Sequence, residues 1–113
     1  MHEAALAQQV WREALAAAAR HQHPRLVGLD LVVGTWSGAD PESLEFALGL
    51  LVADSEWPQA RIRIRREPLA LLCRRCGRRF EPPEADLTCP ACQAADVETI
   101  QGTDLRLESI EVE

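Results

Sequence analysis

The sequence predicts an α+β fold: two helices packed on a small three-stranded sheet, with a four-cysteine zinc-ribbon module inserted before the last strand. Three observations lead there. Two segments carry apolar residues at helical spacing, and three others alternate apolar with polar residues. Two Cys-x-x-Cys pairs fall close together late in the chain.

The first predicted helix covers residues 4–22. Its alanines are the strongest helix formers, and Leu6, Val10 and Ala14, joined by Ala7, Trp11 and Ala18, make an apolar stripe. His23-Pro24 ends it, because the residue before proline avoids the helical region. His21 and His23 fit no ligand motif and read as helix-end residues favoured by the dipole. Leu26 to Val33 is a strand, with Val27, Leu29, Leu31 and Val33 set against Gly28 and Asp30. Gly34-Thr35-Trp36-Ser37-Gly38 is a loop. The second helix opens with Asp40 as N-cap, Pro41 at the first helical position and Glu42 at the positive end of the dipole. Leu44, Ala47, Leu48 and Leu51 form its apolar face, and it stops near Ala53. Residues 60–67 alternate strictly, placing Ile62 and Ile64 inward. Residues 105–113 alternate too, but their phase slips between Leu107 and Ile110, which predicts a β-bulge. The order of these strands in the sheet is left open.

Between the last two strands lie Cys73-Arg-Arg-Cys76 and Cys89-Pro-Ala-Cys92. Zn(II) takes four ligands in a tetrahedron, and two residues between paired cysteines let one tight turn aim both sulfurs at one ion. Gly77 follows the first pair, where a positive φ is often required. The spacer between the pairs can form a short hairpin that brings the second pair back. A redox dithiol, a pair of disulfides and an iron–sulfur cluster are the alternatives; two matched pairs favour zinc. Four cysteines fill the metal's shell, so no open position remains for catalysis, and the chain shows no nucleophile with a base.

Composition narrows the function classes. The net charge is −6, which argues against nucleic acid, whose binding rests on phosphate neutralisation. Every positive side chain is arginine, and the arginines cluster at residues 61–66 and 74–79. They read as a solvated strand face that also offsets thiolate charge; a zinc-ribbon module that contacts a partner or nucleic acid through them is the competing class. No apolar run approaches a membrane span, and nothing at the start resembles a signal peptide, so a cytoplasmic, reducing setting is expected.

The first three residues, Met1-His2-Glu3, carry a second possibility for metal. A histidine near a chain end is ordinarily just exposed. Yet a free α-amine, the His2 amide and the His2 imidazole close adjacent chelate rings around one ion, with Glu3 next in line. Nitrogen donors in such an array suit Ni(II) or Cu(II). His2 is too large for routine removal of Met1, so a free amine on Met1 is expected.

With Met1-His2-Glu3, Gly34-Thr-Trp-Ser-Gly38, Pro41-Glu-Ser-Leu-Glu-Phe-Ala47, both Cys pairs and Gly102-Thr-Asp-Leu-Arg-Leu-Glu-Ser-Ile-Glu-Val112, the chain resembles the HypA/HybF family of hydrogenase nickel-incorporation proteins over essentially its whole length. The resemblance implies a nickel metallochaperone, not an enzyme. It binds Ni(II) through His2, with Met1 and Glu3 giving main-chain atoms, and Zn(II) through Cys73, Cys76, Cys89 and Cys92. Asp40 matches an accessory nickel-site residue of some members, besides its reading as an N-cap. Residues 1–69 with 100–113 would be the nickel-binding domain and 70–99 the zinc-binding domain. Implied partners are a HypB-type nickel GTPase, the large-subunit precursor of a [NiFe] hydrogenase and urease accessory proteins. The chain has no phosphate-binding glycine-rich loop of its own. Asp54-Ser55-Glu56-Trp57 and Ala4-Ala5 depart from the family pattern and bear on partner choice rather than on metal.

Overall fold

The structure is a computed structural model and describes residues 2–22, 24–83 and 86–113. Met1 and His23 therefore lie outside the described residues. The elements are α1 (Glu3–Ala18), β1 (Leu26–Gly34), α2 (Pro41–Ala53), β2 (Arg61–Glu67), β3 (Ala70–Cys73), β4 (Arg79–Phe80), β5 (Val97–Gln101) and β6 (Leu105–Val112). Two three-stranded sheets result, ordered β2-β1-β6 and β4-β3-β5. The expected sheet is the first of these, and the cysteine segment brings a second of its own.

Strand β1 is central because it is the most apolar, buried along most of its length. It runs parallel to β2 and antiparallel to β6. A parallel pair needs a crossover, and α2 supplies it. Both helices cover one face, where Leu29, Leu31 and Val33 meet Ala7, Val10, Trp11 and Ala14 of α1 and Leu44, Leu48 and Val52 of α2. Each fully buried leucine here contributes about 1.5–3 kcal/mol of transfer free energy. The register against β6 shifts between Asp30/Ser109 and Leu31/Leu107, so the bulge expected between Leu107 and Ile110 is present.

Helix α1 ends at Ala18 rather than running to residue 22. Ala18 is its last buried residue, and Arg20, His21 and Gln22 are exposed. Propensity alone would carry the helix further, but most helical stability comes from a packed face, and that face stops.

The other face of the first sheet is an ion-pair lattice. Arg63 bonds Asp30 at 2.6 Å and reaches Glu111 at 3.2 Å; Arg65 meets Glu108 at 2.7 Å. Gly28 permits this, since the Arg63 guanidinium lies over it, 2.8 Å from where a Cβ would stand. Hydrogen bonds from Arg63, then from Ser109, hold the Asp30 carboxyl below its ordinary pKa despite partial burial. A carboxyl with a lowered folded pKa adds stability above its unfolded value, about 3.9, and loses it as pH falls through the folded value. Asp30→Asn is therefore expected to lower the urea midpoint modestly at pH 7 and to have a shrinking effect as pH falls below the unfolded value toward the folded one. Circular dichroism of the helices at pH 7 and through that fall checks this. An equal loss throughout would rule out the ionised pair as its source.

Candidate metal centres

The second sheet is a frame for sulfur. Strand β3 delivers Cys73 from a small core of Leu69, Leu71, Phe80 and Cys89. Each Cys-x-x-Cys closes on itself in the same way. The Gly77 N–H donates to the Cys73 carbonyl at 2.9 Å, and the Gln93 N–H donates to the Cys89 carbonyl at 2.8 Å. The Cys73 N–H donates to the Arg78 carbonyl at 2.9 Å, as the Cys89 N–H does to that of Ala94 at 3.0 Å. The residue after each second cysteine has a left-handed backbone, with φ of +80° at Gly77 and +61° at Gln93. The sequence signals this at Gly77; Gln93 gives no such signal, because glutamine is no left-handed former. The hairpin is β3–β4, wrapped around the first pair, and among the described residues the spacer pairs with itself nowhere.

The four sulfurs lie within 4.8 Å of one another. Cys73 Sγ is 3.6 Å from Cys92 Sγ, and Cys76 Sγ is 3.6 Å from Cys89 Sγ. These are not disulfides, whose sulfurs sit about 2.05 Å apart. A zinc tetrahedron with bonds of about 2.3 Å has sulfur–sulfur edges of about 3.8 Å, so the donor set fits that ion. Each close pair joins one acidic and one reluctant thiol. The Cys76 N–H, above all, brings Cys73 down to about 7. Cys89 is lowered as well: burial opposes this, but the amides of Cys92 and Ala91 prevail. Cys76 and Cys92 go up. The amides of Arg78 and Ala94 favour their thiolates, yet neighbouring thiols and burial win, and Cys92 reaches about 11. A dication would replace the protons that these thiols share.

At the other end, His2 is the N-cap of α1 and is exposed. Its carbonyl accepts from the N–H groups of Ala5 and Leu6 at 3.0 and 3.1 Å, while its imidazole makes no capping bond. Helix-terminal amides such as those of His2 and Glu3 have no intrahelical acceptor. The Glu3 carboxylate accepts from the Asp40 N–H at 3.1 Å, so the start of α1 is fastened to the start of α2. That bond is the chief reason the Glu3 carboxyl titrates below its ordinary range. Asp40 caps α2 as expected, its Oδ2 accepting from the Ser43 hydroxyl at 2.6 Å and the Ser43 N–H at 3.2 Å. The fold thus brings His2, Glu3 and Asp40 to one corner. Met1, the fourth residue expected there, lies outside the described residues.

Half of the clustered arginines, Arg63, Arg65, Arg74 and Arg79, are engaged in ion pairs, and so is Arg106 outside the clusters. Besides the lattice, Arg74 pairs with Asp96 at 3.0 Å, Arg79 with Glu81 at 3.5 Å and Arg106 with Glu67 at 3.2 Å. Charges already matched by carboxylates make a poor surface for phosphate.

Comparison with known proteins shows the family and the fold. The family described as hydrogenase/urease nickel incorporation, metallochaperone, HypA matches residues 1–112. A hydrogenase maturation factor HypA from a Picosynechococcus strain is 34% identical over 112 residues, covering 99% of both chains. One from Synechococcus elongatus is 35% identical over the same length and coverage. The solution structure of a HypA protein superposes with a TM-score of 0.76 at 24% identity, covering 100% of this chain and 97% of the other. That of the Ni metallochaperone HypA from Helicobacter pylori gives 0.69 at 24%, covering 98% and 97%. The two structures share the fold.

Proposed function

We propose that this chain, which belongs to the HypA family of hydrogenase maturation factors, carries one Ni(II) at its N-terminus and passes it to a [NiFe] hydrogenase precursor. The observation that carries this reading is the corner itself. His2 stands exposed at the start of α1, its imidazole making no capping bond and the first amides lacking intrahelical partners, and Glu3 and Asp40, joined by a hydrogen bond, put a carboxylate at the start of each helix. Those carboxylates offset the positive end of two helix dipoles, which would otherwise repel a dication. His2 would give its imidazole, and Met1 and Glu3 main-chain atoms; Met1 must then bear an unblocked α-amine. Asp40, held as a cap, would act beside the ion rather than on it.

We assign Cys73, Cys76, Cys89 and Cys92 to a resident structural Zn(II). Residues 70–99 would be the zinc unit, and 1–69 with 100–113 the nickel unit. A site with few side-chain ligands at a chain end can surrender its ion one donor at a time, as delivery requires. The donors must lose protons to bind, so acid favours release. A HypB-type GTPase is the expected supplier or co-worker, and urease accessory proteins are further candidates. The reduced thiols suit the cytoplasm. Among the described residues no helix is long and apolar enough to cross a membrane.

The test is Ni(II) titration of native-terminus protein followed by calorimetry. Wild type should bind one ion per chain, and His2→Ala should weaken it at least about a hundredfold while leaving zinc content unchanged. Equal affinity in the two proteins would place nickel elsewhere and end this reading.

A further inference from the structure

We infer that the outer face of α2 is a docking site for a basic amphipathic helix of a partner protein. The helix is apolar on two sides. Its inner side, Leu44, Leu48 and Val52, is buried in the core. Its outer side holds Phe46 and Leu50, one turn apart, and these remain 70% and 59% exposed. A helix that faced only water there would carry polar residues.

Gly49 lies between them and has no internal reason to be glycine. A Cβ at this position would meet nothing within 4 Å. Glycine weakens a helix interior relative to alanine, so the fold bears a cost without a steric return. What the missing side chain does provide is room. Glu42, Glu45, Phe46, Gly49 and Leu50 line a shallow depression of about 420 Å³, where a second backbone can come close.

The rim selects the occupant. Glu42 and Glu45 border the depression, α2 has no basic residue, and neither glutamate is in an ion pair among the described residues. A second copy of this chain docked symmetrically would set these carboxylates against their own counterparts. A helix with an apolar ridge flanked by Lys or Arg satisfies both the depression and its rim. The surface stands independently of nickel. Together with the reading above, it would seat a partner on the helix whose N-terminus carries the Asp40–Glu3 contact.

The experiment titrates the zinc-loaded, ¹⁵N-labelled full chain with a synthetic helix bearing a leucine ridge and a lysine rim. Saturable amide shifts centred on residues 42–50 are expected. Phe46→Ala with Leu50→Ala should weaken binding about tenfold or more. Gly49→Leu should do the same while raising helix propensity, which separates lost docking from lost folding. Glu42→Lys with Glu45→Lys should transfer the preference to a glutamate-rimmed peptide. Three results would overturn the inference: shifts confined to other elements, equal affinity of wild type for both rims, or sedimentation showing that the chain pairs with itself through this face. None of these readouts uses nickel, so failure here and failure of the nickel site are separable.

Discussion

Stripping the metal from the sulfur site is expected to unfold residues 70–100 and to leave the helix-covered sheet folded. The reason is the size of the second core. It contains Leu69, Leu71, Cys73, Phe80 and Cys89, so two of its five buried members are themselves proposed ligands. Its strands run four, two and five residues, too little for independent stability in water. A unit this small needs a staple. Structural zinc supplies on the order of 10–16 kcal/mol near neutral pH, more than such a core could replace. Hydrogen exchange reads the result directly. Protection at Leu71, Leu72 and Val97 to Gln101 should collapse after chelation, while that at Leu29 and Leu31 persists. Cys89→Ser should have the same effect without a chelator. Retained protection in 70–100 after verified zinc removal would mean that the lobe holds itself together.

The second large effect is expected at a glycine with no donor atom at all. Gly102 has φ +94°, and a Cβ there would stand 2.5 Å from Leu69 Cα and 2.6 Å from the Pro68 carbonyl oxygen. Gly34 meets it from the other side, where a Cβ would lie 2.4 Å from the Gly102 carbonyl carbon and oxygen. All of these neighbours are backbone, so nothing can swing aside. The crossing is tied by the Trp36 N–H donating to the Gly102 carbonyl and the Gly34 N–H to that of Asp104, both at 2.8 Å. Gly102→Ala combines left-handed strain of about 1–3 kcal/mol with overpacking of similar size. A loss of roughly 3–5 kcal/mol follows, enough to unfold a domain of ordinary stability. Urea denaturation of the zinc-loaded protein measures it. A loss under about 1 kcal/mol would mean that the two sheets separate here at little cost.

Much of the first lobe is legible in the residues. Both helices and β1, β2 and β6 follow from periodicity, and even the bulge beyond Leu107 follows from a slipped phase. Asp40-Pro41-Glu42 announces its cap because the chemistry of a helix start is local. The cysteine centre is legible for the same reason. What escapes is non-local or carried by a residue of ordinary type. Strands β3 and β5 are short and lack alternation, and they exist because they pair with each other. The bond from the Asp40 N–H to the Glu3 carboxylate joins residues that no spacing rule connects. Gln93 takes its backbone from the turn closed around Cys89 and Cys92 rather than from its own preference. The parallel pairing of β1 and β2 depends on the crossover through α2, which alternation within either strand does not reveal.

The crossing at Gly102 also bears on how the chain assembles. Strand β6 completes the first sheet beside β1, yet the chain leaves β2 at Glu67 and returns only at Leu105. Closing so long a diversion carries an entropic barrier that delays the last strand. Once metal has gathered the cysteines, Leu69 and Gly102 are already touching, and the diversion shrinks to a few residues on either side. The ion then acts on the distant sheet as a cross-link would, by shortening the search for β6. Metallated chains should accordingly refold their helical lobe faster than bare ones, although the ion touches no part of it.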